Sequence, residues 1–67
     1  MNVKELKNQM EKKGFSPKSL SEKTGIGLKA FEQRLAGEKD FLLWEIIKIT
    51  HLLSLENREM LNIFFDG

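Results

Sequence analysis

Residues 16–37 read SPKSLSEKTGIGLKAFEQRLAG, and the rest of the chain is organised around this stretch. Ser16 followed by Pro17 is typical of a helix start, because serine caps the first turn and proline is favoured at the first helical position. The segment Gly25–Gly27 interrupts the pattern, and Gly37 ends a second run of helix-forming residues. The stretch therefore predicts two short helices joined by a tight turn, the outline of a helix-turn-helix motif.

The length and composition of the chain limit what it can be. Its 67 residues predict one domain, residues 1–67, which is too small to enclose a sizeable substrate pocket. Cysteine is absent, so we expect no disulfide framework and no cysteine-based metal site, and a reducing cytoplasm is favoured. The most apolar stretch, residues 41–55, contains charged side chains and is too short to span a bilayer. We expect a soluble cytoplasmic domain without a signal peptide, which contacts neither a membrane nor a small-molecule substrate.

Charge is distributed unevenly along the chain, although the net charge is only +1. Residues 1–39 contain nine basic and five acidic side chains, a balance of +4, whereas residues 40–67 contain two basic and five acidic ones, a balance of −3. The basic part contains the two predicted helices and their turn, an arrangement that favours a surface facing nucleic acid. A solvated face with uneven charges would look the same, so both interpretations stay open.

Five helices account for the spacing of the apolar residues, and the chain is predicted to be all-α. We expect helices at about 3–13, 17–24, 28–36, 43–53 and 57–64. Asn2 and Glu5 predict a capping box at the start of the first helix, and Gly27 is the N-cap of the third. The residues expected to face the core are Val3, Leu6, Met10, Phe15, Leu20, Ile26, Phe31, Leu35, Phe41, Ile46, Ile49 and Leu53, together with Leu42 or Leu43, and with Met60, Leu61 and Phe64 in the last helix, where Ile63 is a further candidate.

The fourth helix has more apolar positions than one buried stripe can hold. Trp44, Ile47 and His51 are spaced three and four residues apart on a second face. Either the fifth helix and the C-terminal Phe64 and Phe65 cover this face, which makes it core, or these five residues form an interface with a second copy or a partner. Both interpretations stay open, and Phe65 alone could either contact a dimer partner or fold back on the domain.

An ordered set of residues runs through nearly the whole chain. It comprises Leu20-Ser21-x-x-x-Gly25-Ile26-Gly27-x-x-x-Phe31-x-x-x-Leu35-x-Gly37, then Lys39-x-Phe41, Glu45-Ile46-x-x-Ile49, Leu52-Leu53-x-Leu55 and Ile63-Phe64-Phe65. In this order the set resembles the lambda-repressor/Cro (XRE-type) family, and it is similar to small phage regulators of Gram-positive hosts. The resemblance implies a five-helix lambda-repressor-like DNA-binding domain in the cytoplasm of a bacterial host.

The resemblance also implies how such a domain would be used. The third helix would lie in the major groove of operator DNA, and the domain would act as a homodimer. The start of the second helix would hold phosphates. By position, the residues implied to contact bases are Leu28, Lys29, Glu32 and Gln33, next to Gly27, and those implied to contact phosphates are Ser16, Lys18 and Lys39.

Three functions are therefore compatible with the sequence. The first is a Cro-like transcriptional regulator of a phage or prophage that binds double-stranded operator DNA. The second is an antirepressor, a modulator of repression with the same fold that binds the phage repressor and blocks its DNA binding; the apolar Leu28 suits it. The third is an antitoxin-type helix-turn-helix regulator.

Catalysis has little support in the sequence. The carboxylates of Glu56 and Glu59, and those of Asp40 and Glu45, lie near each other along the chain, but neither pair is accompanied by a nucleophile or a set of metal ligands. His51 is the sole histidine and no other ligand accompanies it. We expect no enzymatic activity, no cofactor and no metal site.

Overall fold

A computed structural model describes residues 1–65, and over this range the chain is all-helical. The five helices are α1 (Val3–Lys12), α2 (Pro17–Thr24), α3 (Leu28–Leu35), α4 (Leu43–Leu52) and α5 (Asn57–Phe64). The predicted number and order of helices are confirmed, and every predicted boundary lies within one residue of the observed one. The last two residues of the predicted domain 1–67 lie outside the described residues.

The helices enclose a single apolar core. Helix α2 packs against α3 and α4, and α5 packs against α1 and α4. Phe41, in the loop before α4, places its ring 5.7 Å from the rings of both Phe31 and Phe64, edge to face in each case. This loop residue therefore joins α3 to α5. The buried apolar residues are Leu6, Met10, Leu20, Ile26, Phe31, Leu35, Phe41, Ile46, Ile49, Leu53, Leu55 and Ile63.

The first turn of α1 is fastened to α5. The Asn2 side chain accepts a hydrogen bond from the Glu5 backbone N–H at 3.1 Å, as predicted. The returning bond of the predicted capping box is absent, because the Asn2 N–H donates to the Ile63 carbonyl at 2.6 Å. The Glu5 carboxylate instead accepts from the Gln9 amide, which also donates to Glu59 of α5. A hydrogen bond to α5 therefore takes the place of one of the two bonds of the predicted capping box.

Helices α1, α3 and α4 end in the same way. The residue after each cap has a positive φ: 79° at Gly14, 81° at Gly37 and 52° at Ser54. In each case the next N–H donates to the carbonyl five residues earlier. The bonds are Phe15 to Met10 at 2.8 Å, Glu38 to Gln33 at 3.0 Å and Leu55 to Thr50 at 2.9 Å. These bonds define the Schellman motif, and at α4 a serine occupies the position that favours glycine.

Two predictions about packing are wrong. Leu42 and Leu43, one of which was expected to begin the buried stripe of α4, are both exposed, because the first inward position of α4 is Glu45. Leu61 is also exposed, whereas Ile63, the further candidate for packing in α5, is fully buried. The inward residues of α5 follow the spacing i, i+3, i+4 from Met60 to Ile63 and Phe64, and Leu61 lies outside that stripe.

Candidate functional site

Hydrogen bonds inside the turn between α2 and α3 hold its conformation. Gly25 has φ 84°, a conformation that favours glycine, and its N–H donates to the Ser21 carbonyl at 3.0 Å. The buried Thr24 hydroxyl donates to the same carbonyl and accepts from the Ile26 N–H at 3.3 Å. Ile26 is buried, as predicted. Thr24 is not among the residues predicted from the sequence, although a threonine next to a helix-ending glycine is a usable signal.

Helix α3 has a buried side and an exposed side. Phe31 and Leu35 are buried, as predicted. Leu28, at 39% exposure, lies on the outer side with Lys29 and Glu32, which are also exposed. The structure thus brings three of the four predicted base-contacting residues to one surface. The fourth, Gln33, is half-buried, and Gly27 caps the helix without a side-chain bond.

The start of α2 has a complete capping box. The Ser16 hydroxyl accepts from the Ser19 N–H at 3.1 Å, and the Ser19 hydroxyl accepts from the Ser16 N–H at 2.9 Å. The predicted N-cap role of Ser16 is confirmed. Its capping partner, Ser19, stands at the third helical position, where serine replaces the more usual glutamate. The capped N-terminus of α2, which is the positive end of its dipole, lies next to the exposed Lys18.

An ion pair joins α3 to α4. Arg34 Nε lies 2.8 Å from Glu45 Oε1, and the two side chains are 13% and 3% exposed. The same Glu45 oxygen accepts from the Leu42 N–H at 2.8 Å, and the Arg34 guanidinium also donates to the Ala30 carbonyl at 3.1 Å. Arg34 is therefore engaged inside the domain rather than offered to a ligand. No local signal in the sequence predicts this pair, because it joins residues eleven positions apart.

The remaining cations are available for external contacts. Within residues 1–65, Arg34 and Glu45 form the sole ion pair. Lys18, Lys29 and Lys39, three residues predicted to contact DNA, are exposed. No carboxylate of the described chain neutralises them at salt-bridge distance. These ammonium groups can accordingly meet a negatively charged partner without first breaking an internal bond.

The second face of α4 is not part of the core. Trp44 is 50% and Ile47 61% exposed, and His51 is exposed as well. The interpretation that α5 and the C-terminal phenylalanines cover this face is wrong, because Phe64 is directed to Phe41 and is half-buried there. Phe65 is 55% exposed, so it does not fold back fully on the domain.

Two of the four acidic side chains considered for catalysis are engaged within the domain. Glu59 Oε1 accepts from the Glu56 N–H at 2.9 Å, and Glu45 is held by Arg34 while Asp40 is exposed. Over the described range, no three His, Asp or Glu side chains lie close enough together to hold a metal ion. None of the helices in residues 1–65 has the length and apolar character needed to cross a membrane.

Helix α3 thus exposes Leu28, Lys29 and Glu32, and Lys18 is exposed at the start of α2. Helix α4 carries exposed apolar side chains. Comparisons with protein-family models, with curated proteins and with solved structures found no match to this chain.

Proposed function

We propose that this chain is a Cro-like transcriptional regulator with a lambda-repressor-like fold, in which α2 and α3 form a helix-turn-helix that binds operator DNA. The observation that carries the proposal is the exposed side of α3. Phe31 and Leu35 hold the helix in the core, and Leu28, Lys29 and Glu32 remain exposed. An α-helix with its side chains is about 10–12 Å wide, which matches the roughly 12 Å width of the major groove of B-DNA.

Each exposed side chain of α3 suits a particular base edge. Lys29 can donate to the acceptors of guanine or to a phosphate, and the Glu32 carboxylate can accept from the amino group of cytosine. Leu28 can pack on the methyl group of thymine. Gln33 could pair with adenine, but it is half-buried and would have to rotate outward. The proposal therefore assigns base contacts first to Leu28, Lys29 and Glu32.

Phosphate contacts would hold the helix in its register. Lys18 is exposed at the start of α2, beside the capped and electropositive helix end. Lys39 is exposed in the loop after α3. These lysines stand on either side of α3 along the sequence, and such contacts set orientation without reading bases.

The experiment that tests this proposal measures binding to DNA fragments from the gene's own regulatory region. Fluorescence anisotropy at about 50 and 200 mM salt should show specific binding that weakens steeply with salt, because phosphate contacts release counterions. Lys29→Ala should abolish the specific complex, whereas the control Lys4→Ala, on α1, should retain it. Absence of binding to every such fragment at the lower salt concentration would overturn the proposal.

A second candidate function has one observation in its favour. Leu28 is the first residue of α3, and 39% of its surface is exposed. An exposed leucine at this position also suits a protein surface. The alternative is an antirepressor that uses α3 to bind a phage repressor and block its DNA-binding surface.

The two candidates respond differently to the same variants. If the partner is a repressor, co-purification with the repressor from the adjacent gene should be lost in Leu28→Asp and kept in Lys29→Ala. If the partner is DNA, Lys29→Ala should have the larger effect on complex formation. A chain that co-purifies with the repressor and binds no DNA would favour the antirepressor.

A further inference from the structure

A cavity of about 300 Å³ lies where the start of the chain, the loop before α4 and the end of α5 meet. Its volume is at the lower end of the roughly 300–1,000 Å³ that is typical of small-molecule sites. None of its lining residues belongs to α2 or α3, so the cavity is separate from the surface proposed to bind DNA. It is lined by Met1, Asp40, Phe41, Ile46, Phe64 and Phe65.

Half of these lining residues are phenylalanines. The rings of Phe41 and Phe64 lie 5.7 Å apart at an interplanar angle of 87°, and Phe41 is also held edge to face by Phe31 of α3. Phe65 remains 55% exposed. Aromatic rings pack favourably against a further ring, and their electron-rich faces attract cations. This wall therefore suits a ligand that combines an aromatic body with a positive charge.

Asp40 supplies the only ionisable side chain that lines the cavity. It is exposed, and its carboxylate forms no ion pair within residues 1–65. Neither the adjacent Lys39 nor the amino group of Met1 comes within salt-bridge distance of it. Because no basic side chain is among the lining residues, the charge of the cavity favours a cation over an anion.

We propose that this cavity binds a small arylalkylammonium ion, an amine whose positive charge and aromatic ring are joined by a short aliphatic chain. The ammonium group pairs with the Asp40 carboxylate, and the ring packs against Phe41 and Phe64. Proteins contain no side chain of this kind, so the occupant is a free small molecule rather than a segment of a partner protein. It is a ligand and not a substrate, and its binding is independent of the function proposed for α3.

Both parts of the ligand are needed for measurable affinity. An exposed ion pair alone contributes little, because water competes for both charges. The aromatic part adds the burial of apolar surface against Phe41 and Ile46, which are already 92 and 93% shielded from solvent by the domain, at 8 and 7% exposure. For a ligand of about ten heavy atoms, the two contributions together correspond to a dissociation constant on the order of 1 mM.

The test is a titration of the full chain with phenethylammonium, followed in proton–nitrogen NMR correlation spectra without DNA. The backbone amide signals of Asp40, Phe41 and Phe64 should shift and saturate, with a dissociation constant on the order of 1 mM. Two analogues are matched controls: phenethyl alcohol lacks the charge, and butylammonium lacks the ring. Each should bind about fivefold more weakly, and the anion phenylpropanoate more weakly still.

Variants of the lining residues separate the two parts of the site. Asp40→Asn keeps the shape of the side chain and removes its charge, so it should weaken binding of phenethylammonium about fivefold and leave binding of phenethyl alcohol unchanged. Glu38→Gln removes an exposed carboxylate of the same loop that does not line the cavity, and it should have no effect. Phe65→Ala should weaken binding of both ligands, whereas Leu61→Ala, at a similarly exposed position of α5, should not.

Signals that do not saturate well above the expected dissociation constant, or that shift mainly at the exposed apolar residues of α4, would overturn the proposal. So would equal binding of phenethylammonium and either control, or an Asp40→Asn variant that binds phenethylammonium as tightly as the unchanged chain. Because no DNA is present, a failure here leaves the proposal for α3 standing, and failure of DNA binding leaves the cavity site standing.

Discussion

Arg34 and Glu45 form an ion pair, 2.8 Å from Nε to Oε1, that connects the last turn of α3 to the first turn of α4. The Glu45 carboxylate satisfies the Leu42 N–H with the same oxygen, and the Arg34 guanidinium satisfies the Ala30 carbonyl. This pair of side chains therefore satisfies two backbone groups, one in α3 and one at the start of α4. It also fixes the position of α3 against the rest of the domain. The orientation of the candidate binding surface depends on a residue of α4.

Replacing Arg34 with methionine should destabilise the domain strongly. The variant leaves the Glu45 carboxylate buried without its cation, and breaking such a pair costs about 3–5 kcal/mol. Urea denaturation followed by circular dichroism measures the loss. The double variant Arg34→Met/Glu45→Gln should recover part of it, because no buried charge remains and the amide oxygen can still accept from the Leu42 N–H. A loss below about 1 kcal/mol in Arg34→Met would show that the pair contributes little.

Ser54→Gly should stabilise the chain. Ser54 adopts φ 52°, whereas the equivalent positions of α1 and α3 hold glycine, for which the left-handed conformation is not strained. We expect a gain of about 0.5–1 kcal/mol, seen as a higher midpoint in thermal unfolding. The reciprocal change Gly37→Ser is the matched control and should lower the midpoint. Equal midpoints for all three proteins would contradict the strain assigned to Ser54.

Ile63 and Leu61 should respond in opposite ways to truncation. Ile63 is fully buried, so Ile63→Ala removes core contacts and should cost about 2–5 kcal/mol. Leu61 is half exposed, and Leu61→Ala should change the free energy of unfolding by less than about 1 kcal/mol. Denaturant titration of the two variants measures both values. A larger loss from Leu61→Ala would mean that α5 is rotated about its axis relative to the structure.

The proposed phosphate contacts should appear in the salt dependence of DNA binding. Lys18→Ala and Lys39→Ala should each weaken binding about equally for all sequences, and each should reduce the slope of log K against log salt by about one. Lys4→Ala, on the exposed side of α1, supplies the control with an unchanged slope. Titrations at four or five salt concentrations give the slopes. Unchanged slopes in both test variants would remove Lys18 and Lys39 from the interface.

The helix boundaries were predictable because each is encoded locally. Ser16 with Pro17 begins α2, and Gly14 and Gly37 have the positive φ that follows a helix end. Each of these signals depends only on residues within about one helical turn, so the helix boundaries can be predicted from the local sequence alone. The exposure of Lys29 and Glu32 followed from the same spacing and is confirmed, whereas their contact with DNA stays a prediction.

What the sequence could not predict depends on how the helices are set against one another. Glu45 stands in an apolar helix and would ordinarily be solvated; only the arrival of Arg34 from α3 makes its burial tolerable. Met60 and Phe64 are compatible with either Leu61 or Ile63 as the third inward residue of α5, and packing decides between them. The exposure of Trp44 likewise depends on which side of α4 packs against the other helices.

The hydrogen bond from the Asn2 N–H to the Ile63 carbonyl affects when the domain can fold during its synthesis. A ribosome releases α1 first and α5 last, so the N-terminal helix emerges well before the residue that holds its first turn. Until Ile63 has left the exit tunnel, the apolar side of α1 lacks its partner helix. The core of residues 1–65 is therefore completed only after α5 has emerged, with α1 docking together with α5.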